Sequence, residues 1–430
     1  MKKINVLYLV EHVAREMDVA CAVKAILEEK YQCSVAIRHI YYDLKKTLND
    51  FQPDVIVFPF FYKDTDLAMD ECLALYPGST YLNLTWEELY YPTNVQLKVP
   101  KGEHALHDVF HHVWGDFFRD YLLSHGVTPD HIIVNGQPAY QLYFLPYCLY
   151  YKNRQQLAEE YGLDLKKHWV FIPENYRWGF IDDGKVERLV RDGASRDEII
   201  TIRDFCQRSV YLLMEWSMRF ARENDIEVIF RPRPATQISE VEAMARKILK
   251  DNEIMPVRFH ILKNDSVREW ILSSDIVISS YSTTLIEAAI VDKPIFMFEP
   301  LQIPASLKCS WYNNIPRIVS YEDFSQAIFG SAPDSGNDSL KKWALNMMLS
   351  HGDPIDRLAS IIADLVKRQS QNPIQDKNQF FKFPFIGHFI TNLKMRKKFS
   401  VNPRTHESDH FSDKDVRMAT IKWKKILFNT

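Results

Sequence analysis

No stretch of about 18 consecutive apolar residues occurs in the 430-residue chain, which excludes a membrane-spanning helix. The six cysteines (Cys21, Cys33, Cys72, Cys148, Cys206 and Cys309) include no CxxC pair. They point to free thiols in a reducing compartment and not to a disulfide framework or a zinc site. No repeat of fixed period is present. The opening run Ile4 to Val10 is too short for a secretory signal and is followed at once by Glu11, so it reads as a first strand. What is present is an ordinary globular composition, 46% hydrophobic and 25% charged, in a chain long enough for two domains.

Charge is unevenly placed. From Lys377 to Thr430 there are 12 Lys/Arg against 4 Asp/Glu, so this segment carries +8 and the rest of the chain −11 of the net −3. A basic tail on an acidic body points to an anionic partner surface. The acidic body argues against nucleic acid as that partner.

The chain alternates strands and helices. Predicted strands are Ile4–Val10, Ser34–Ile40, Asp54–Phe60, Thr80–Leu84 and His131–Val134, then His168–Ile172, Glu227–Arg231, Val257–Leu262 and Asp275–Ser279. Predicted helices include Asp18–Lys30, Tyr42–Asn49, Thr65–Tyr76, Asp116–His125, Arg203–Glu223, Glu240–Asn252 and Leu285–Val291. This rhythm implies parallel, doubly wound sheets. Residues 1–145 read as one Rossmann-like domain, 146–166 as a helical linker and 167–330 as a second such domain. Residues 331–370 read as helices (Ser339–Leu349, Pro354–Lys367) crossing back over both, and 371–430 as a basic amphipathic tail. In two open sheets, ligands are expected beyond the carboxyl ends of the strands.

The stretch around residues 265–299 carries the strongest signal. Between a β-branched strand and an Ala-rich helix lies Ser279-Ser280-Tyr281-Ser282-Thr283-Thr284, with five Ser/Thr hydroxyls in six residues. Helix N-termini offer free N–H groups and the positive dipole end, so the turn reads as an anion site or as a plain helix cap. Arg231-Pro232-Arg233-Pro234, also after a strand, is a stiff cationic fork suited to diphosphate or carboxylate, or else a loop of surface arginines. Glu174, Asn175, Tyr176, Arg177 and Trp178 form a polar-aromatic loop whose Tyr176 or Trp178 is available to stack on a base or sugar. Asp182-Asp183-Gly184 reads as a turn.

Carboxylates at strand ends are candidates for a catalytic base. Glu11, beside His12 and ahead of Arg15-Glu16, is the first; its alternative reading is a helix-dipole partner. Glu87, in Trp86-Glu87-Glu88, is the second, and Glu174 the third. His111-His112 lie side by side on a strand and so face opposite ways, which excludes a metal pair. Asp64-Thr65-Asp66 resembles the acidic triplet of metal-dependent sugar transferases but sits at a helix start, where caps are expected. No metal is expected.

Arg-Pro-x-Pro after a strand, then Ile-Val-Ile-Ser-Ser-Tyr-Ser-Thr-Thr-Leu-Ile-Glu-Ala and Lys-Pro-Ile-Phe, resembles the donor domain of GT-B glycosyltransferases of bacterial surface polysaccharide synthesis. The pattern is similar to cytidine-nucleotide users: CDP-glycerol glycerophosphotransferases, capsule Kdo transferases and bacterial sialyltransferases. Leu9-Val10-Glu11-His12, Glu174-Asn175-Tyr176-x-Trp178 and Arg231-Pro232-Arg233-Pro234 are similar to the group called surface carbohydrate biosynthesis proteins. The resemblance covers about residues 4–330. It departs at Arg233, where relatives often have His, and at Ser280, where they often have Asp; the missing carboxylate disfavours a polyol-phosphate transferase.

The resemblance implies a GT-B fold, two Rossmann-like parallel sheets facing a cleft. It also implies a metal-independent glycosyltransferase of capsule or O-antigen type, with no cofactor beyond a nucleotide-sugar co-substrate, CMP-linked as for Kdo. Arg231, Arg233, Ser279, Ser280, Ser282, Thr283, Thr284, Glu287, Asn175 and Tyr176 would bind the donor. Glu11, Glu87 or Glu174 would act on the acceptor, a glycan or lipid-linked sugar. Arg177 and Lys98 are further cations for a donor carboxylate. Alternatives are a CDP-polyol phosphotransferase, a hydrolysing epimerase and a non-catalytic nucleotide-binding scaffold. Phe383–Phe399 and Ile421–Phe428 interleave aromatics with lysines, which suits an anionic membrane surface or a helix docked on the body. The expected location is the cytoplasmic face of the cell membrane, peripherally bound, with other polysaccharide-assembly enzymes as partners.

Overall fold

The computed structural model describes residues 4–41, 43, 51–89, 95–234, 236–249, 253–330, 337–349, 352–371 and 409–429. The chain divides into two compact units. The first comprises residues 1–90, 94–150 and 346–430, and the second residues 91–93 and 151–345.

The first unit is built on β1 (Asn5–Val10), β2 (Ser34–His39), β3 (Val55–Phe58), β4 (Thr80–Asn83), β5 (Phe110–Val113) and β6 (Ile132–Val134). They form one parallel sheet in the order β2-β1-β3-β4-β5-β6. Val6 to Val10 and Val55 to Phe58 are wholly buried, as expected of parallel strands covered on both faces. The order reverses between β1 and β3, so the chain leaves these neighbouring strands toward opposite sides and a crevice opens at their carboxyl ends. Helix α1 (Val13–Tyr31) follows β1 directly.

The second unit uses β7 (Trp169–Pro173), β8 (Glu227–Arg231), β9 (Phe259–Ile261), β10 (Ile276–Ser279), β11 (Ile295–Phe298) and β12 (Arg317–Ile318). They form a parallel sheet in the order β12-β11-β10-β7-β8-β9, with the reversal between β7 and β10. Asp182-Asp183-Gly184 is not a bare turn. The Asp182 side chain accepts the Lys185 N–H (2.7 Å) and caps helix α2 (Asp183–Arg191). Helix α3 (Arg196–Glu223) begins seven residues earlier than predicted, capped by Ser195. Helix α4 (Thr284–Ile290) follows the hydroxyl turn. The predicted helix Tyr42–Asn49 lies outside the described residues but for Asp43.

Helices α5 (Asn337–Met348) and α6 (Pro354–Gln371) follow. The latter packs on α1, β3 and β4 of the first unit. Helix α7 (Asp413–Phe428) packs on the body, the docked alternative of the tail reading. Its Trp423 is fully buried and stacked on Tyr150, with ring centroids 4.2 Å apart. Lys424 pairs with Glu28 (3.0 Å) and Glu29 (2.7 Å) of α1, and Arg38 with Asp413 (2.8 Å). Trp423 is therefore spent on the body, while Ile421 is exposed and Ile426, Leu427 and Phe428 are half-buried. Phe383–Phe399 lies outside the described residues. Among the described residues no helix is long and apolar enough to cross a membrane.

Candidate active site

At the β1/β3 reversal a cavity of about 320 Å³ is lined by Glu11, His12, Arg15, Tyr62, Glu87 and Lys98, among others. The residues following β1 build one wall. Glu16 is fully buried and accepts from Arg15 Nη2 (2.6 Å) and Nε (3.0 Å) and from the Glu11 N–H (2.8 Å). This fixes the backbone of Glu11 at the mouth of the strand. Arg15 also reaches across to Glu87 Oε1 (2.7 Å), and Lys98 holds the other Glu87 oxygen (2.7 Å).

The two candidate bases are thereby separated electrostatically. Burial raises the Glu87 carboxyl, but Arg15 and Lys98 outweigh it and hold it at about 2. Glu11 moves the other way. Burial raises it, and the repulsion of Glu16 and Glu87 assists against the attraction of His12 and Arg15. Its Oε1 lies 3.5 Å from the Tyr41 hydroxyl and its Oε2 3.7 Å from both His12 Nε2 and Arg15 Nη2. Glu11 is thus a carboxylate with raised proton affinity, and Glu87 an anion locked between two cations. Lys98, expected to serve a ligand carboxylate, is engaged by Glu87.

Behind this wall Glu88 is buried and accepts from Thr85 Oγ1 and the Trp114 N–H (both 2.8 Å). It anchors the turn that carries Glu87. Asp64 accepts from the His104 and Ala105 N–H groups, capping the helix Glu103–His107 and not the helix that follows its own triplet. Among the described residues no group of His, Cys, Asp and Glu is arranged to hold a metal.

In the second unit three loops meet at the carboxyl edge of the sheet, with β7 between β8 and β10. Ser279 donates to the Pro173 carbonyl (2.6 Å) and Asn175 to the Tyr281 carbonyl (3.3 Å), tying the β7 and β10 loops together. Ser282 donates to Thr284 Oγ1 (3.0 Å) and accepts the Thr284 N–H (3.3 Å), while Thr283 is exposed. Ser280 is buried, and Thr284 and Glu287 are half-buried on the first turns of α4. The five hydroxyls therefore divide: Ser279, Ser280 and Ser282 are buried, and Thr283 and Thr284 reach solvent.

Two expectations are corrected here. Tyr176 is fully buried, edge-on to Tyr281 at 5.9 Å, so its ring is not a stacking platform. Glu174 is 3% exposed; its oxygens accept from the backbone N–H groups of Tyr176 and Arg233 (3.3 Å for the latter), so it shapes the loops and is not a catalytic carboxylate. Arg231 is buried and donates to the Asp265 carbonyl (2.9 Å), which leaves the half-buried Arg233 as the arginine of the fork nearer solvent. Arg177 is exposed and Trp178 half-buried in the same loop.

One participant escaped the sequence reading. Asp409, from the segment ahead of α7, bonds to His12 Nδ1 (3.3 Å) and accepts the Val13 N–H (3.2 Å). A separation of 397 residues leaves no local pattern to find it by.

No family model matches the chain. No curated protein matches it either. Solved structures do. A variant of the wall teichoic acid polymerase TagF soaked with CDPG superposes with TM-score 0.51 at 10% identity, over 87% of this chain and 90% of that one. The S. aureus MnaA–UDP co-structure does so at 0.50 and 13%, over 88% and 100%. A UDP-N-acetylglucosamine 2-epimerase gives 0.50 and 12%, over 89% and 100%. The fold is GT-B. At these identities the likeness speaks for the fold alone: a GT-B chain with two six-stranded parallel sheets and a C-terminal helix.

Proposed function

We propose that this GT-B chain is a nucleotide-sugar glycosyltransferase of bacterial surface polysaccharide synthesis, whose donor is a CMP-linked acid sugar of the Kdo kind. The observation that carries this reading is the cavity at the first sheet's reversal. It holds one carboxylate of raised proton affinity, Glu11, beside a second that Arg15 and Lys98 lock as an anion. Thr283 and Thr284, backed by the buried Ser282, would take the donor phosphate together with Arg233. Preformed donors there stabilise the charge that develops on the departing nucleotide. Glu11 accepts the proton of the acceptor hydroxyl as the new glycosidic bond forms. The acceptor is a glycan or lipid-linked sugar, reached at the inner face of the membrane through the basic tail 371–430, in company with other assembly enzymes.

A thermal-shift panel of CMP, CDP and UDP tests the donor. A ligand at a hundred times its Kd stabilises by about 2.7 kcal/mol, which such a panel resolves. CMP is expected to give the largest shift, reduced by Arg233→Ala and Ser282→Ala. A CDP preference indicates a polyol-phosphate transferase, and a UDP preference an epimerase-like activity. Binding with polysaccharide output indifferent to Glu11→Gln indicates a scaffold. If no nucleotide shifts the melt, the proposal fails.

A further inference from the structure

The N-terminus of α1 is capped from the far end of the chain. His12 occupies the N-cap position, yet its side chain makes no capping bond. Asp409 supplies it instead: Oδ1 accepts the Val13 N–H at 3.2 Å while Oδ2 lies 3.3 Å from His12 Nδ1. The Asp409 residue is 8% exposed. The chain just beyond Asp409 is anchored, because Ser412 caps α7, Lys424 ties α7 to α1, and the buried Trp423 packs on Tyr147 and Tyr150. The imidazole is released from capping its own helix, and its other nitrogen, Nε2, stands 3.7 Å from Glu11 Oε2 on the wall of the cavity.

We propose that Asp409 is a positioning residue of the first-sheet site, holding His12 so that Nε2 faces Glu11 and the cavity, and that Glu11 and His12 act together on the acceptor hydroxyl. The inference rests on the glycosyltransferase reading for its chemistry and on the Asp409 contacts for its geometry. An aspartate bonded to Nδ1 requires the proton on that nitrogen, which leaves Nε2 of the neutral ring as an acceptor. The acceptor's O–H bond breaks as its oxygen bonds the anomeric carbon. The proton passes to Glu11 and on to His12 Nε2, and the resulting imidazolium is stabilised by the Asp409 carboxylate. The leaving nucleotide departs with the electron pair of the broken glycosyl bond.

The charged and titratable groups around His12 are few. Glu11 and Arg15 come from its own junction and Asp409 from the tail. His39 comes from the end of β2, with its Nε2 bonded to the Glu11 carbonyl (3.0 Å) and its Nδ1 accepting the Tyr41 N–H (3.1 Å). Glu16 and Glu87 act through Arg15, and Lys63 and Asp66 line the same cavity. Burial holds His39 neutral against the pull of Asp409, Asp43 and the Glu11 carbonyl, so it does not compete for the proton.

The test is Asp409→Asn in the full chain, because an asparagine oxygen still accepts the Val13 N–H while the charge is gone. The first readout is the His12 imidazole titration followed by NMR, assigned with His12→Gln. The second is kcat, donor KM and the pH–rate profile. The expected result is a lower His12 titration midpoint, a kcat lower by about tenfold or more with donor KM unchanged, and partial rescue by Asp409→Glu. An unmoved His12 titration overturns the proposal, and so does a variant with wild-type kcat and pH profile. If no nucleotide sugar is turned over even by the wild type, the glycosyltransferase reading falls on its own, while the NMR titration still decides whether Asp409 governs His12.

Discussion

Glu11 and Glu87 face the same cavity with opposite electrostatics, and the difference lies in their neighbours. Glu87 has two cations within 2.7 Å, whereas Glu11 has its nearest at 3.7 Å. A general base must be ionised to act, so activity should fall with acid through the raised Glu11 range, above the ordinary carboxylate value of about 4.3. Glu11→Gln should lower kcat by about 10²–10⁴ and abolish that acid limb. An intact limb in Glu11→Gln would assign it to another group. Glu174→Gln carries a different expectation. Its two oxygens serve two backbone N–H groups, and an amide has one acceptor oxygen, so one N–H loses its partner at a cost of about 1–3 kcal/mol. Denaturant unfolding should show that loss together with weaker nucleotide binding, since the Arg233 backbone is what the carboxylate holds. A stability equal to wild type would show that Glu174 does not shape the loop.

At the scale of elements, α7 decides what the tail does. Trp423 is fully buried against Tyr147 and Tyr150, and Lys422 stands over the Tyr150 ring at 4.1 Å. Removing a buried Trp side chain costs about 3–5 kcal/mol. Trp423→Ala should therefore lower the stability of the first unit by that much in urea unfolding, and it should also disturb the His12 titration by loosening Asp409. A loss below about 1 kcal/mol would mean that the helix is not part of the folded unit. The helix was legible in sequence, for it carries a Ser412/Asp415 capping box and a helical apolar spacing. Its destination was not. Aromatics mixed with lysines satisfy a membrane surface and a protein groove alike, and only the Glu28 and Glu29 side chains on α1 and the Tyr150 ring select the second. Most strands of both sheets were legible for a firmer reason: a parallel strand covered on both faces must be largely apolar, and β3, β7 and β10 are buried along their whole length, whereas the two-residue β12 was missed. Helix α2 was missed because Asp-Asp-Gly suits a turn and a cap equally.

For the molecule as a whole, acid should act on the first unit. His39, His111 and His112 are held neutral at about 4 by burial. Each binds fewer protons folded than unfolded between about 4 and the ordinary value of about 6.5. Stability therefore rises with pH through this window and is lost as pH falls through it, by at most about 1.4 kcal/mol per pH unit for each such histidine. Urea unfolding at pH 7 and pH 5 measures this, and a flat profile would sink the claim. Glu87 adds nothing in that window, because its folded carboxyl stays ionised down to about 2 and loses its pairing only below the ordinary carboxylate range.

Sequence alone determined the alternation of buried strands and amphipathic helices, the hydroxyl-rich turn and the carboxylate at the first strand's end. Each of these is a property of neighbouring residues, through periodicity, capping or turn chemistry. Tertiary structure decided which strands lie side by side, which of two cavity carboxylates keeps a raised proton affinity, that Tyr176 and Glu174 face inward, and that Asp409 meets His12. Those outcomes depend on groups tens to hundreds of residues apart, and electrostatics and burial act through space with no regard to position along the chain.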